Sequence, residues 1–165
     1  MEIRNIADEI RERGGDHQSR VYLLAKEKAS PELARAMNLP RGGTVFHSII
    51  VHSDTGRPVQ HSNRYVNPAV APHYLEQDFT RITPNQYLIQ MAPVTEVEHI
   101  IETTMPDKKI QGLLEMEPGE PCLVLHRRTW TYSDVATRSV FMYPGKRYQI
   151  GGRFKPTDGP SLLVA

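Results

Sequence analysis

The chain of 165 residues has little cysteine, almost no net charge and no long apolar run. A single cysteine, Cys122, excludes an intrachain disulfide, and its apolar neighbours favour a buried structural thiol. A formal net charge of +1 argues against a surface that binds nucleic acid by itself. No apolar stretch approaches the ~20 residues that cross a bilayer, and residues 1–5 do not resemble a signal peptide. We therefore expect a soluble, cytoplasmic chain without a membrane partner.

Catalytic and metal-binding signatures are also scarce. The sequence contains no His-Glu-x-x-His or Cys-x-x-Cys pattern, nucleophile elbow, P-loop or dinucleotide fingerprint. His47 and His52 are an odd number of residues apart in one predicted strand, so they point to opposite faces and cannot share a metal ion. Glu96, Glu98 and Glu102 share a strand face, which favours a solvated strip over an acid–base pair. We expect no enzyme activity, no metal site and no cofactor.

The apolar periodicity and the helix-start signals predict a single α+β domain. With 39% hydrophobic and 24% charged residues, the composition suits a globular core. Helices are predicted from about Asn5 and from Pro31, Pro84 and Pro106. Strands are predicted at residues 20–28, 45–53, 59–66, 95–104, 122–132, 135–143 and 148–154. Two hairpins favour a mainly antiparallel sheet flanked by helices over residues 1–154, followed by a loosely held tail at 155–165.

The first hairpin is predicted to gather polar side chains on one face. With the turn centred near Thr55, the predicted pairs are Phe46–Arg64, Ser48–Ser62 and Ile50–Gln60. Period-two alternation groups two sets of side chains, namely Gln60, Ser62 and Arg64 on one strand and Ser48, Ile50 and His52 on the other. If the two sets share a face, they combine an arginine fork, an imidazole, hydroxyls and apolar surface into a small-anion pocket. The alternative is a surface arginine with a salt-bridge partner.

Three further features offer weaker signals. Thr137 and Tyr143 lie on one face of the second hairpin, where the tyrosine either contacts a ligand or packs against its neighbours. Thr83 and Asn85 flank a helix start, whose free backbone N–H groups attract anions, although most such starts are only caps. The pair Arg127–Arg128 is interpreted as solvated surface.

Several motifs together resemble the UTRA effector-sensing domain of GntR-type transcriptional repressors. They are Ile6–Gly14, Ser30–Ala34 followed by Leu39-Pro40 and Gly43, Phe79–Leu88 and Tyr143–Tyr148. Phe46–Ser48 with Arg64–Pro68 is particularly similar to the histidine-utilisation branch. The resemblance covers almost the whole chain. It implies the chorismate-lyase-like fold, which is a central antiparallel sheet flanked by helices.

The resemblance also implies a homodimeric sensor of a small metabolite. Operator DNA would be bound only through an N-terminal winged helix-turn-helix domain that would precede this segment. The positions that match ligand contacts in relatives are Ala7, Ile50, His52, Ser62, Thr83, Asn85, Thr137 and Tyr143. His52 and Ile50 replace paired arginines of sugar-phosphate sensors, which favours a smaller, flatter ligand, and the histidine-utilisation branch implies urocanate.

The resulting hypothesis assigns each part of urocanate a partner. Arg64 pairs with the carboxylate, His52 or Ser62 contacts the ring, and Tyr143 packs over it. Three other functions stay open: a UTRA sensor for a sugar phosphate or an amino acid, a chorismate-lyase-like enzyme, and a dimerisation module without a ligand. The enzyme is disfavoured because the predicted pocket face lacks a paired acid and base.

Overall fold

The computed structural model describes residues 4–151, which fold around one antiparallel sheet. The strands are β1 (His17–Lys28), β2 (Thr44–Asp54), β3 (Arg57–Val66), β4 (Glu96–Thr104), β5 (Cys122–Thr131) and β6 (Asp134–Pro144). The helices are α1 (Ile6–Glu12), α2 (Pro31–Ala36), α3 (Pro84–Met91) and α4 (Lys108–Leu113), with a 3₁₀ turn at Tyr74–Glu76. The six strands lie in the order β1-β2-β3-β6-β5-β4. The predicted α+β class and the element order through β6 are confirmed.

The helices begin where side-chain caps are available. The predicted caps Asn5, Ser30 and Thr83 each accept a hydrogen bond from a backbone N–H of the first helical turn. Thr83 and Gln86 complete a reciprocal capping box. The fourth helix is shorter than predicted, because Asp107 caps it and the helix ends at Leu113.

The predicted last strand, 148–154, is wrong in its described part, and residues 152–165 lie outside the described range. Residues 148–151 belong to no strand. After Pro144 the chain turns, and the Gly145 N–H donates to the Pro121 carbonyl at 2.9 Å. A Cβ at Gly145 would lie 2.9 Å from that oxygen, so the close approach favours glycine. The turn directs Tyr148 back onto Tyr143, whose ring it stacks against.

Helices cover both faces of the sheet. The face that carries His52, Arg64 and Tyr143, called the cavity face, is covered by α1, the 3₁₀ turn and α3. The opposite face, called the outer face, packs on α2 through Leu33 and on α4 through Leu114 at its C-terminal end. The polar side chains of the cavity face are therefore enclosed between the sheet and the helices.

The first hairpin has the predicted faces but a different register. The observed pairs are Phe46–Val66, Ser48–Arg64, Ile50–Ser62 and His52–Gln60, two residues away from the predicted pairing. An irregularity between His52 and Ser53 shifts the register beside a tight turn, in which Thr55 has φ 49° and Gly56 has φ 80°. Because a shift of two residues preserves the alternation, both predicted polar sets share the cavity face.

Candidate ligand-binding site

A cross-strand row of side chains forms the charged centre of the cavity face. It runs in register across five strands and consists of Ser48, Arg64, Ser139, Arg127 and His99. Directly paired residues project to the same side of a sheet. Phe141 lies beside this row, and the guanidinium carbons of Arg64 and Arg127 lie 5.3 and 5.1 Å from its ring centroid. Both cations therefore stack on one aromatic ring.

A cavity of about 190 Å³ lies over this row. Its wall combines the sheet with α1, the start of α3 and residues 148–151. The predicted site residues in the wall are His52, Arg64, Thr83, Asn85 and Tyr143. The volume is below the ~300 Å³ at which pockets for drug-sized ligands begin, so the cavity suits a smaller molecule.

Arg64 carries a buried charge that the described residues do not neutralise. Its side chain is only 6% exposed, no carboxylate within residues 4–151 forms an ion pair with it, and its Nε has no hydrogen-bond partner there. Burial lowers the pKa of the guanidinium. A buried, uncompensated cation destabilises the empty site and attracts an anion.

His52 presents a neutral ring to the cavity. Its Nδ1 lies 2.9 Å from His17 Nε2 and 3.2 Å from Ser19 Oγ. Burial, followed by the neighbouring His17 and Arg64, lowers the pKa of His52 to about 3. The ring is therefore uncharged at neutral pH, and its Nε2 makes no hydrogen bond to any side chain or backbone group in residues 4–151.

Tyr143 is held in a stacked and hydrogen-bonded position. Gln60 Nε2 donates to the Tyr143 hydroxyl at 2.8 Å, and burial raises the pKa of Tyr143 to about 12. The rings of Tyr143 and Tyr148 stack with centroids 3.9 Å apart, while the Tyr148 hydroxyl donates to Glu9 Oε2 at 2.6 Å. One face of Tyr143 is thus covered, and a ligand can meet only its hydroxyl, its edge or the other face.

The start of α3 meets the start of α1 at the cavity wall. The Thr83 hydroxyl donates to Asn5 Oδ1 at 3.0 Å and accepts from the Gln86 N–H at 3.1 Å. Asn85 Nδ2 is buried without a partner among the described residues. An unsatisfied buried amide at a cavity wall is available to a ligand oxygen.

Four of the predicted site residues do not reach this cavity. Ile50 lies in an apolar cluster with Phe46, and neither Ser62 nor Ala7, both buried, contributes to the cavity wall. Thr137 lines a small adjoining cavity, and its hydroxyl lies 2.7 Å from that of Thr129. Their proposed ligand contacts are therefore without support from the geometry of the main cavity.

Arg127 and its partner His99 are cavity residues that the sequence interpretation missed. Arg127 Nε donates to His99 Nε2 at 2.7 Å, so that ring nitrogen carries no proton. Burial and the Arg127 charge lower the pKa of His99 to about 4, while burial and the Arg64 charge lower the pKa of Arg127 to about 10. The available signal was alternation, because two successive arginines in a strand must point to opposite faces.

Metal binding and membrane insertion find no support in the described range. No group of three or more His, Cys, Asp or Glu side chains in residues 4–151 is arranged to hold a metal ion. No helix within the same residues is long and apolar enough to cross a membrane.

Residues 12–149 match the UTRA domain model. Because this match covers most of the chain, the chain belongs to the UTRA domain family. It is 48% identical over 154 residues to the histidine utilization repressor of Pseudomonas putida, covering 93% of this chain and 62% of that relative. The chain thus spans about three fifths of the relative's length.

Solved structures agree with this assignment. The C-terminal domain of the histidine utilization repressor from Pseudomonas syringae pv. tomato is 44% identical, with a TM-score of 0.80 over 85% of this chain and 99% of that domain. The effector domain of PhnF from Mycobacterium smegmatis has a TM-score of 0.85 at 16% identity, over 94% of this chain and 98% of that one, and supports the fold alone. The expectation that the chain is not an enzyme agrees with the repressor names of its relatives.

Proposed function

We propose that this chain is the effector-sensing domain of a histidine utilization repressor and that its effector is urocanate. The observation that carries the proposal is the buried cation of Arg64, which lacks a carboxylate partner in residues 4–151 and lines a cavity next to a neutral imidazole. The similarity to histidine utilization repressors supplies the pathway.

Urocanate joins an imidazole to an acrylate, and each part has a partner in the cavity wall. Arg64 binds the carboxylate, since a guanidinium matches a planar carboxylate in charge and shape. His52 Nε2 hydrogen-bonds the ligand ring, because Nδ1 is already engaged by His17 and Ser19. Tyr143 contacts the ligand through its hydroxyl or its uncovered face.

The signal is a shift between two arrangements of a homodimer. Urocanate binds one arrangement more tightly, which repositions DNA-binding domains in the full-length repressor and releases the operator. A ligand that bound both arrangements equally would leave the DNA affinity unchanged.

Titration calorimetry of the chain with urocanate tests this function, with histidine and glucosamine 6-phosphate as comparators. We expect selective binding of urocanate, and chromatography should recover the ligand unchanged. Heat from a comparator but not from urocanate would transfer the function to another pathway. Conversion of the ligand would favour a chorismate-lyase-like enzyme instead.

Substitution of Arg64 tests the carboxylate contact. Arg64→Ala should weaken urocanate binding by roughly 2–3 kcal/mol, because a buried charge pair loses one partner. Unchanged affinity in a folded variant would remove Arg64 from the site.

A further inference from the structure

We propose that Arg127 is a second ligand-binding cation, and that the ligand carboxylate is bound between Arg64 and Arg127. His99 acts as the positioning residue that aims Arg127 at the cavity. This inference rests on the proposed carboxylate effector. It adds a residue of β5, which is separated from the strand of Arg64 by β6.

The placement of Arg127 fits a shared anion. Arg64 and Arg127 both pair with Ser139 of the intervening strand, and both guanidinium groups stack on Phe141. Two like charges at one ring repel each other unless an anion lies between them. No carboxylate in residues 4–151 forms an ion pair with either arginine.

Two acids, Glu9 and Glu12, line the cavity wall, and neither forms an ion pair with Arg64 or Arg127. Glu9 lines the cavity, and its Oε2 accepts the hydroxyl of Tyr148 at 2.6 Å. Glu12, another acid of the wall, is paired with Arg4 at 2.5 Å. Glu9 acts on Arg127 only at longer range than an ion pair, so neither guanidinium has an ion-pair partner in residues 4–151 and both keep donors for a ligand.

His99 explains how Arg127 keeps a fixed direction without losing its charge. The Nε–H of Arg127 is bound to His99 Nε2 at 2.7 Å, which leaves the two terminal amino groups of the guanidinium for a ligand. A neutral acceptor orients a guanidinium, whereas a carboxylate would also neutralise it. Arg128 shows that second case, because Glu98 Oε2 accepts from its terminal amino group at 3.0 Å.

The test compares urocanate affinity in variants of the 165-residue chain. Arg127→Gln should weaken binding at least about 30-fold, since it removes one charged partner of a buried carboxylate. Arg128→Gln is the matched control: it changes the neighbouring arginine, lies on the outer face, and should bind within about threefold of the unmodified chain. Circular dichroism and thermal unfolding establish that each variant is folded.

Two substitutions of His99 separate positioning from packing. His99→Gln retains an acceptor for Arg127 and should bind urocanate within about threefold of the unmodified chain, whereas His99→Leu lacks it and should lose about tenfold. Equal affinities of the two variants would overturn the positioning role.

The outcomes distinguish this inference from the proposed effector. If urocanate binds and Arg127→Gln binds it equally well, the second cation is wrong and the effector stands. If urocanate gives no heat, thermal unfolding with acetate, histidine and glucosamine 6-phosphate replaces the titration. Anion stabilisation that is lost in Arg127→Gln supports the second cation without that effector, and equal responses overturn it.

Discussion

Arg127 and Arg128 are neighbours on one strand, yet the two faces of the sheet treat their charges differently. Arg128 stacks on Trp130, with its guanidinium carbon 4.7 Å from the ring centroid, and is paired with Glu98 on the outer face. Arg127 stacks on Phe141 and is bound to neutral His99 on the cavity face. One arginine is neutralised within the fold, and the other is oriented but left charged.

The histidines of β2 repeat this difference. On the outer face, His47 hydrogen-bonds Glu27 Oε1 at 2.8 Å and Asn63 Oδ1 at 2.7 Å. On the cavity face, His52 meets only His17 and Ser19 through Nδ1. Within residues 4–151, His47 and Arg128 on the outer face each have a carboxylate partner, whereas His52 and Arg127 on the cavity face have none. Interaction partners, rather than residue types, therefore distinguish the site from the scaffold.

Acid should affect the cavity face most strongly. The pKa of His52 is about 3 and that of His99 is about 4 in the fold, both below the value of 6.5 expected in the unfolded chain. The unfolded chain thus binds more protons in this window, and stability falls as the pH decreases from 6.5 towards 4. For His52 the loss is on the order of 3 kcal/mol. Thermal unfolding from pH 8 to pH 4 measures it.

The matched variants for this acid effect are His52→Gln and His99→Gln. Each should show a shallower decline of melting temperature with acid than the unmodified chain. At pH 8 both rings are neutral in the folded and unfolded chains, which provides the reference. An unchanged slope in His52→Gln would contradict the assigned cause.

Removing the unpaired cation should stabilise the empty domain. Arg64→Met keeps an unbranched side chain beside Phe141 and eliminates a buried charge, so the free energy of unfolding should rise by about 1–3 kcal/mol. Chemical denaturation without ligand measures this gain. Arg128→Met, whose charge is paired with Glu98, is the control and should give no such gain.

Replacing the neutral partner of Arg127 by a carboxylate, as Arg128 has, should weaken ligand binding. His99→Glu places a carboxylate next to Arg127, so the guanidinium is neutralised within the protein. Urocanate affinity should fall about tenfold, or ~1.4 kcal/mol, without a lower melting temperature. Retained affinity would mean that the charge of Arg127 is not used.

The smallest effect is expected on the outer face. Glu98→Gln removes the ion pair between Glu98 and Arg128. Both side chains of this pair are partly exposed. Such pairs contribute about 0.2–1 kcal/mol to stability. Denaturation should detect a change of that size or less, and calorimetry should find urocanate affinity unaltered.

The sequence predicted most of the sheet because its signals were local. Alternation grouped Ser62 with Arg64 and placed His52 in the facing set, and the observed pairing brings both sets to one face even though the irregularity after His52 moved the cross-strand partners by two residues. Alternation is a property of one strand, whereas register depends on the geometry of the turn and of any bulge.

The cavity wall was harder to predict because it joins distant segments. Arg127 and His99 become neighbours only through the pairing of β4 with β5, and the pair Arg127–Arg128 taken alone suggested solvated surface. Ile50 and Ala7 match ligand-contacting positions of relatives, but here both are buried and neither lines the cavity. Position in a family alignment does not by itself give access to a cavity.

The contact between the caps of α1 and α3 has a consequence for hydrogen exchange. Asn5 Oδ1 accepts from the Ala7 N–H at 3.3 Å and from the Thr83 hydroxyl at 3.0 Å, and Thr83 in turn accepts from the Gln86 N–H. The two amide protons therefore depend on one continuous set of hydrogen bonds, although they lie on different helices. Local opening of either helix end would expose both, so Ala7 and Gln86 should exchange with solvent at a common opening free energy.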